Sequence, residues 1–215
     1  GDWKFRRVLF RSSRIYENQL GRGRAFTGWL FNRMSEAFDG LNITDPDAFY
    51  ATVNRVTPGY IRTESDEVQY NLHVMLRFDL ERDLISGRLD TQDLEAAWNA
   101  RFLKDFGVAV DRPANGVLQD VHWSVGLFGY FPTYALGNVY AGCLNQALRG
   151  AVPDLDASLA QGDATPATEW LRENVQRHGG LMTPTEVIET AAGQPIGPEP
   201  LLDYLERKFT GIYGL

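Results

Sequence analysis

Residues 64–87 read ESDEVQYNLHVMLRFDLERDLISG, and this stretch decides the fold class. Apolar side chains recur in it at every fourth position, at Val68, Leu72, Leu76, Leu80 and Leu84. A spacing of three to four residues is that of an amphipathic α-helix, and a glycine commonly ends such a helix. The stretch therefore predicts a helix from Glu64 to Ile85 that ends at Gly87.

The rest of the chain carries similar helical signals. A proline-free run from Ile15 to Phe38 has apolar residues at helical spacing, and Asp45 followed by Pro46 is typical of a helix start. Residues 107–130 hold several glycines and read as an irregular loop. Because no strand-like alternation is present, we expect an all-α fold. Further helices are predicted over residues 45–56, 90–107, 131–150, 165–180, 183–193 (with a capping box from Thr183 to Glu186) and 199–215.

Composition narrows the class of protein. The chain has 215 residues with 44% hydrophobic and 23% charged, which is ordinary for one globular domain or part of one. Its net charge of −7 argues against nucleic acid as a partner, and it has no apolar run long enough to span a membrane. The single cysteine, Cys143, excludes an internal disulfide, so we expect a reducing, cytoplasmic location. Its place within a helical run favours a buried apolar role over that of a nucleophile.

A second stripe is polar, on a predicted helix that can be extended back to cover residues 61–85. It consists of Arg62, Asp66, Gln69, His73 and Arg77, which recur at three- and four-residue spacing. One interpretation is a plain solvent-facing side. The other is a binding face on which Arg62, at the helix entrance, holds a carboxylate through its planar fork.

Residues 116–138, GVLQDVHWSVGLFGYFPTYALGN, are the other candidate site. Their polar and aromatic members are Gln119, Asp120, His122, Trp123, Tyr130 and Tyr134. Glycine-rich loops allow close approach of a ligand, and His122 with the two tyrosines could donate hydrogen bonds to an oxyanion. A structural loop with aromatic packing is the alternative.

Metal ligation has little support in the sequence. Its three histidines, His73, His122 and His178, include no pair four residues apart, so no zinc site of the His-Glu-x-x-His kind can be read. His178 lies in the last turn of a predicted helix, where a histidine interacts favourably with the helix dipole.

Three stretches resemble a known family. Residues 61–81, IRTESDEVQYNLHVMLRFDLE, resemble the I/V-R-x-x-A-D motif of the M32 metallocarboxypeptidases, with Ser65 in place of alanine. Residues 116–123, GVLQDVHW, match the fixed positions of that family's G-x-x-Q-D-x-H-W motif. Residues 13–26 resemble the segment that follows the family's H-E-S element, and FGYFPTYALGN also continues as the family does.

The resemblance implies a helical, neurolysin-like metallopeptidase fold in a homodimeric zinc carboxypeptidase that removes C-terminal amino acids from peptides. It implies that Arg62 holds the terminal carboxylate and that His122 stabilises the oxyanion. We infer that Tyr130 or Tyr134 assists His122, because related helical metallopeptidases pair a histidine with a downstream tyrosine. The residues implied to bind substrate or shape its site are Arg62, Asp66, Gln119 and Asp120.

The resemblance also implies that zinc ligands are missing. In the family, the His-Glu-x-x-His helix and the H-E-S glutamate lie upstream of the segment that Ser13 begins, whereas residues 9–12 here read LFRS. We therefore expect residues 13–215 to be the C-terminal part of one peptidase domain, which alone binds no zinc and cleaves no peptide. Residues 1–12 resemble a translated sequencing adapter, and we expect them to be an artefactual leader. The alternatives are a non-catalytic helical module or pseudoenzyme that keeps the cleft wall, and a binding protein that uses residues 1–12 as a basic arm.

Overall fold

The computed structural model describes residues 13–215, and the predicted leader, residues 1–12, lies outside the described residues. Residues 13–215 form helices, turns and loops without a β-strand, which confirms the all-α prediction. None of their helices is long and apolar enough to cross a membrane. The α-helices in these residues are α1 (Arg24–Ala37), α2 (Pro46–Val53), α3 (Gln69–Ile85), α4 (Leu94–Phe106), α5 (Pro132–Ala151), α6 (Leu155–Leu159), α7 (Thr165–Asn174), α8 (Pro184–Ala192) and α9 (Glu199–Tyr213).

The helix α3 begins later than the sequence predicts. A short 3-10 turn, Arg62–Glu64, precedes it, and the chain bends before Gln69. The reason is Asp66, whose carboxylate accepts hydrogen bonds from the backbone amides of Val68 and Gln69 at 3.0 and 2.8 Å. Amides at a helix start lack intrahelical partners, so a side-chain acceptor there favours a helix that begins after it.

Other parts of the prediction differ as well, since the helix predicted over residues 165–180 ends at Asn174 and a separate 3-10 turn, Gln176–His178, follows it. The run from Ile15 to Phe38 is divided into a π-helical turn, Ile15–Gly21, and α1, because Gly23 adopts an extended conformation (φ −74°, ψ 151°) just before α1. The short helix α6 lies in a stretch for which the sequence predicted none.

Several predicted helix ends are confirmed. The Asp45 carboxylate accepts a hydrogen bond from the amide of Ala48 at the start of α2. Gly107 ends α4 in the left-handed conformation, with φ +70°. The capping box of Thr183 and Glu186 is present at the start of α8.

The chain divides into two compact units, and the unit Arg55–Leu136 contains all the named residues of both candidate sites. Its helices α3 and α4 pack on each other around Leu76, Trp98 and Phe102, which are almost completely buried. A smaller apolar cluster joins Tyr70, Val74 and Phe131. Between α4 and α5 the chain forms the expected irregular loop, apart from a 3-10 turn at Pro113–Asn115.

The second unit comprises the described residues up to Asn54 together with Gly137–Leu215. Its core includes Leu144, Leu148 and Leu171, and Cys143 is buried there as predicted. Within this unit α5 and α9 approach closely at Gly142. A β-carbon added at Gly142 would lie 2.7 Å from the backbone nitrogen of Leu201 and 2.8 Å from its Cα.

The close approach at Gly142 predicts the effect of Gly142→Ala. The added methyl group meets backbone atoms, so we expect a loss of about 1–3 kcal/mol in the free energy of unfolding. The matched control is Gly150→Ala in the same helix, where an added β-carbon has no atom within 4 Å. That change should be neutral or stabilising, because alanine is the better helix former. Urea denaturation measures both variants, and equal stabilities would contradict the prediction.

Candidate active site

Arg62 is buried against Asp120. Its Nε and Nη2 donate hydrogen bonds to Oδ1 of Asp120 at 3.2 and 2.8 Å, and its Nη1 donates to the hydroxyl of Tyr70 at 3.2 Å. Only 5% of Arg62 is exposed. The guanidinium therefore sits in the interior with its donors engaged by a carboxylate and a hydroxyl.

Arg77 reaches the same carboxylate from α3. Its Nε donates to the other oxygen of Asp120, Oδ2, at 2.5 Å, and its Nη1 donates to the backbone carbonyl of His73 at 2.8 Å. Burial by itself raises the pKa of Asp120, but the guanidiniums of Arg77 and Arg62 outweigh it and hold that pKa below its usual range. One ionised carboxylate is thus shared by two buried arginines, which leaves one positive charge in excess within this group of three.

His73 is an interior residue of this unit. Its side chain is inaccessible to solvent, and its ring packs 4.4 Å from the ring of Phe106 and 5.7 Å from that of Phe102, centroid to centroid. Burial, with the neighbouring charge of Arg77, lowers the pKa of His73 to about 3. Arg62, His73 and Arg77 are all buried. The interpretation of the polar stripe as a solvent-facing side is therefore wrong for these three residues.

His122 lies close to the shared carboxylate. Its Nδ1 is 3.7 Å from Oδ1 of Asp120, and its Nε2 is 3.1 Å from the hydroxyl of Tyr134. The ring packs on Phe131, with centroids 4.4 Å apart, and His122 is 8% exposed. Burial lowers the pKa of His122, so the neutral imidazole is the favoured form near neutral pH.

Both candidate tyrosines lie beside His122. The ring of Tyr130 is 5.7 Å from that of His122 and 5.4 Å from that of Tyr134, which it meets edge to face. The guanidinium carbon of Arg62 lies 4.7 Å from the Tyr134 ring centre. Burial raises the pKa of Tyr134, so its hydroxyl keeps its proton and can act as a hydrogen-bond donor.

Gln119 joins two loops. Its Nε2 donates to the backbone carbonyls of Tyr60 and Asn115 at 2.9 and 3.0 Å, and its Oε1 accepts from the amide of Arg62 at 3.0 Å. These contacts fix the turn that carries Arg62. The role of Gln119 in binding substrate stays a prediction.

Asp66 is engaged by backbone amides. Besides the two amides at the start of α3, its carboxylate accepts from the amide of Thr57 at 3.1 Å. These bonds hold the entrance of α3, and the predicted contact of Asp66 with substrate stays untested.

The sequence analysis did not single out Glu81, which the structure places next to the site. Glu81 is 3% exposed, and its carboxylate accepts hydrogen bonds from the indole Nε1 of Trp123 at 2.7 Å and from the amide of Gly129 at 3.1 Å. Glu81 could have been predicted to share a helix face with His73 and Arg77, because it follows them at the same four-residue spacing on α3.

The residues from Ser13 to Leu215 do not fit a metal centre. They contain no group of three or more histidine, cysteine, aspartate or glutamate side chains placed to hold a metal ion. The carboxylate of Asp120, which lies 3.7 Å from Nδ1 of His122, is already bonded to the two arginines.

The sequence of this chain matches a known protein family. The family model for Carboxypeptidase Taq (M32) metallopeptidase matches residues 11–209. The chain belongs to the M32 family. Both motifs that form the site, residues 61–66 and 116–123, fall within the M32 match.

Two curated M32 relatives are similar along most of the chain. Thermostable carboxypeptidase 1 of Thermus thermophilus is 40% identical over 202 residues, which is 94% of this chain and 40% of that protein. Carboxypeptidase 1 of Bacillus subtilis is 36% identical over 205 residues, again 94% of this chain and 40% of the relative. The chain thus spans about two fifths of the length of these relatives.

Solved structures agree with the M32 assignment. The crystal structure of an M32 carboxypeptidase from Deinococcus radiodurans superposes with a TM-score of 0.92 at 40% identity, covering 97% of this chain and 42% of that one. Metallocarboxypeptidase 1 of Trypanosoma cruzi gives a TM-score of 0.88 at 35% identity, covering 93% and 40%. The fold of the described residues is therefore that of a segment of an M32 carboxypeptidase.

The lowered pKa values of His122 and His73 predict how stability depends on pH. Both imidazoles bind a proton less readily in the folded chain than in the unfolded chain, where histidine titrates near 6.5. Their neutral forms therefore favour folding at neutral pH. The free energy of unfolding should fall as the pH decreases below about 6.5.

NMR titration of the imidazole signals measures this directly. We expect His122 to titrate below the value that it shows in urea, and His73 to stay neutral down to about pH 3. If His122 titrates at the same pH in the folded and the unfolded chain, its described burial is wrong.

Proposed function

We propose that this chain is part of a metallocarboxypeptidase that removes C-terminal amino acids from peptides, and that the unit Arg55–Leu136 lines the end of the peptide site. Membership of the M32 family and the names of its relatives support this activity. The observation that carries the proposal most directly is the contact between His122 and Tyr134, a neutral histidine and a protonated tyrosine in one buried pair.

In the proposed reaction this pair stabilises negative charge on the scissile carbonyl oxygen. With the proton on Nε2, His122 donates to the Tyr134 oxygen, and the Tyr134 hydroxyl is then left to donate to the oxyanion. Tyr130 lies beside both rings and offers a second hydroxyl. Donors fixed in a site that excludes water stabilise a developing charge better than mobile water does.

Arg62 supplies the specificity for a free C-terminus in this proposal. Arg62, Asp120 and Arg77 carry one positive charge in excess, and a terminal carboxylate is the complementary group. Nη1 of Arg62 donates to Tyr70 through one N–H bond, and its second N–H can donate to the substrate carboxylate while Nε and Nη2 stay on Asp120. Asp120 keeps the other donors of Arg62 in place, while Gln119 and Asp66 hold the segments on either side.

The metal of the family needs ligands beyond the described residues. Since residues 13–215 offer no suitable group, we place the zinc ligands in the remainder of a longer protein. The chain alone would then bind no zinc and cleave no peptide. The family resemblance leads us to propose further that the complete protein is a cytoplasmic homodimer.

A second candidate is a non-catalytic helical module that keeps the wall of the cleft. The observation that favours it is the engagement of Arg62, Asp120 and Gln119 with one another, which is also what a purely structural network shows.

A fusion protein distinguishes the two candidates. Residues 13–215 replace the matching part of the Thermus thermophilus carboxypeptidase, which supplies the rest of an M32 enzyme. We expect the fusion to release C-terminal amino acids from peptides with a free C-terminus but not from amidated ones. The 215-residue chain serves as a control, and it should hold no stoichiometric zinc and release no amino acid.

Within this fusion, His122→Ala should lower kcat about 100-fold, because the Tyr134 hydroxyl loses the group that directs it to the oxyanion. The matched control is His178→Ala, which changes a histidine outside the site and should leave the rate unchanged. A folded, zinc-loaded fusion without activity would favour the non-catalytic module, whereas full activity of the His122 variant would contradict the proposed role of His122.

A further inference from the structure

The Glu81 carboxylate has no part in the proposed chemistry, yet it is one of the most buried acidic groups near the site. It faces the inner side of the loop after Asp120 and accepts hydrogen bonds from Trp123 and from Gly129. Burial raises the pKa of Glu81, and these two hydrogen bonds act in the opposite direction. A buried carboxylate is costly unless it is hydrogen-bonded, so its position needs an explanation.

The two residues that Glu81 holds are the direct neighbours of two candidate catalytic residues. Trp123 follows His122 in the sequence, and Gly129 precedes Tyr130. The Glu81 carboxylate therefore binds both ends of the loop, at the residue after His122 and at the residue before Tyr130.

The loop between these anchors has little other support from the interior. Residues 124–129 are exposed, and its own turns, such as the bond from the amide of Leu127 to the carbonyl of His122 at 2.8 Å, are local. Trp123 is the loop residue that reaches inward, where its ring meets that of Trp98 edge to face at 6.1 Å. The bonds to Glu81 are thus the polar link between the loop and α3.

We propose that Glu81 is a positioning residue that sets His122 and Tyr130 relative to Asp120 and Arg62. It touches no reacting atom, and it acts through Trp123 and Gly129. The consequence for catalysis rests on the proposed function, whereas the effect on the position of His122 does not. A displacement of about 1 Å in a catalytic group is enough to cost about 100-fold in rate.

The surroundings of Glu81 make the test practicable. Its outer side borders an open surface cavity lined by Phe78, Arg82 and Ile85 among others. Truncation of Glu81 therefore leaves space that water can enter rather than a dry hole, and we expect Glu81→Ala to fold.

The first measurement is an NMR titration of the full 215-residue chain, whose three histidines and five tryptophans give few imidazole and indole signals. In Glu81→Ala the loop is released and His122 becomes solvated, so its pKa should rise toward 6.5, the ordinary value. Loss of a nearby negative charge would by itself lower the pKa of a histidine. A rise therefore reports movement of the loop and not the change of charge.

The controls define the outcome. Asp83→Asn removes a carboxylate from the same helix that pairs with Arg88 near the surface, and it should leave the pKa of His122 unchanged. His73 should stay neutral in every variant. Glu81→Gln keeps one oxygen and places an amide donor against the other partner, so it should give an intermediate shift. Should Glu81→Ala fail to fold, Trp123→Phe removes the donor instead and should raise the pKa of His122 in the same direction.

The proposal is overturned if the indole proton of Trp123 reports the loss of its bond to Glu81 while the pKa of His122 stays where it was. In the fusion enzyme, Glu81→Ala should lower kcat about 100-fold with a smaller change in KM, because the loss falls on the transition state. If the unsubstituted fusion is inactive, the proposed function fails, and the NMR titration still decides the role of Glu81. If the fusion is active and kcat is unaffected by Glu81→Ala, the positioning role is wrong.

Discussion

The carboxylate of Asp120 is the constraint on which the rest of the site depends. It accepts from Arg62 on one oxygen and from Arg77 on the other, and these two arginines are 5% and 0% exposed. A buried guanidinium without a counter-ion is strongly unfavourable, so neither arginine can keep its place without this carboxylate. The contact joins a 3-10 turn, the middle of α3 and the loop that carries His122. It thereby fixes three separate pieces of chain inside one compact unit.

The helix α3 contributes a buried stripe of polar side chains to this site. His73, Arg77 and Glu81 follow one another at four-residue spacing, and each is at most 3% exposed. Arg77 holds Asp120, and Glu81 holds the loop that begins at Trp123. The apolar residues Leu76 and Leu80 secure the helix against α4. Apolar packing therefore holds α3 in place, and its polar stripe holds Asp120 and the loop that begins at Trp123.

The sequence predicted the helices well, because apolar spacing and capping residues act locally. Asp45, Gly107 and Thr183 end or begin helices where their side chains or backbone freedom require it. The start of α3 was predicted too early because the side chain of Asp66 captures amides that periodicity assigns to the helix.

The residues of the site could be predicted from the sequence, but the contacts between them could not. The motifs and the resemblance singled out Arg62, Asp120 and His122, which the structure brings together. Spacing shows which residues share a helix face, but it does not show what lies opposite them. For that reason the stripe was compatible with a solvent face, and the contact of Glu81 with Trp123, 42 residues away, had no local signal.

The free energy of unfolding of Asp120→Asn tests the central claim most directly, because asparagine keeps the size of the side chain and removes its charge. The account predicts a loss of about 3–5 kcal/mol, as expected when one partner of a buried ion pair is removed. Asp83→Asn, which breaks a largely exposed pair with Arg88, should cost at most about 1 kcal/mol. Equal small losses in the two variants would contradict the claim that Asp120 holds the two arginines in place.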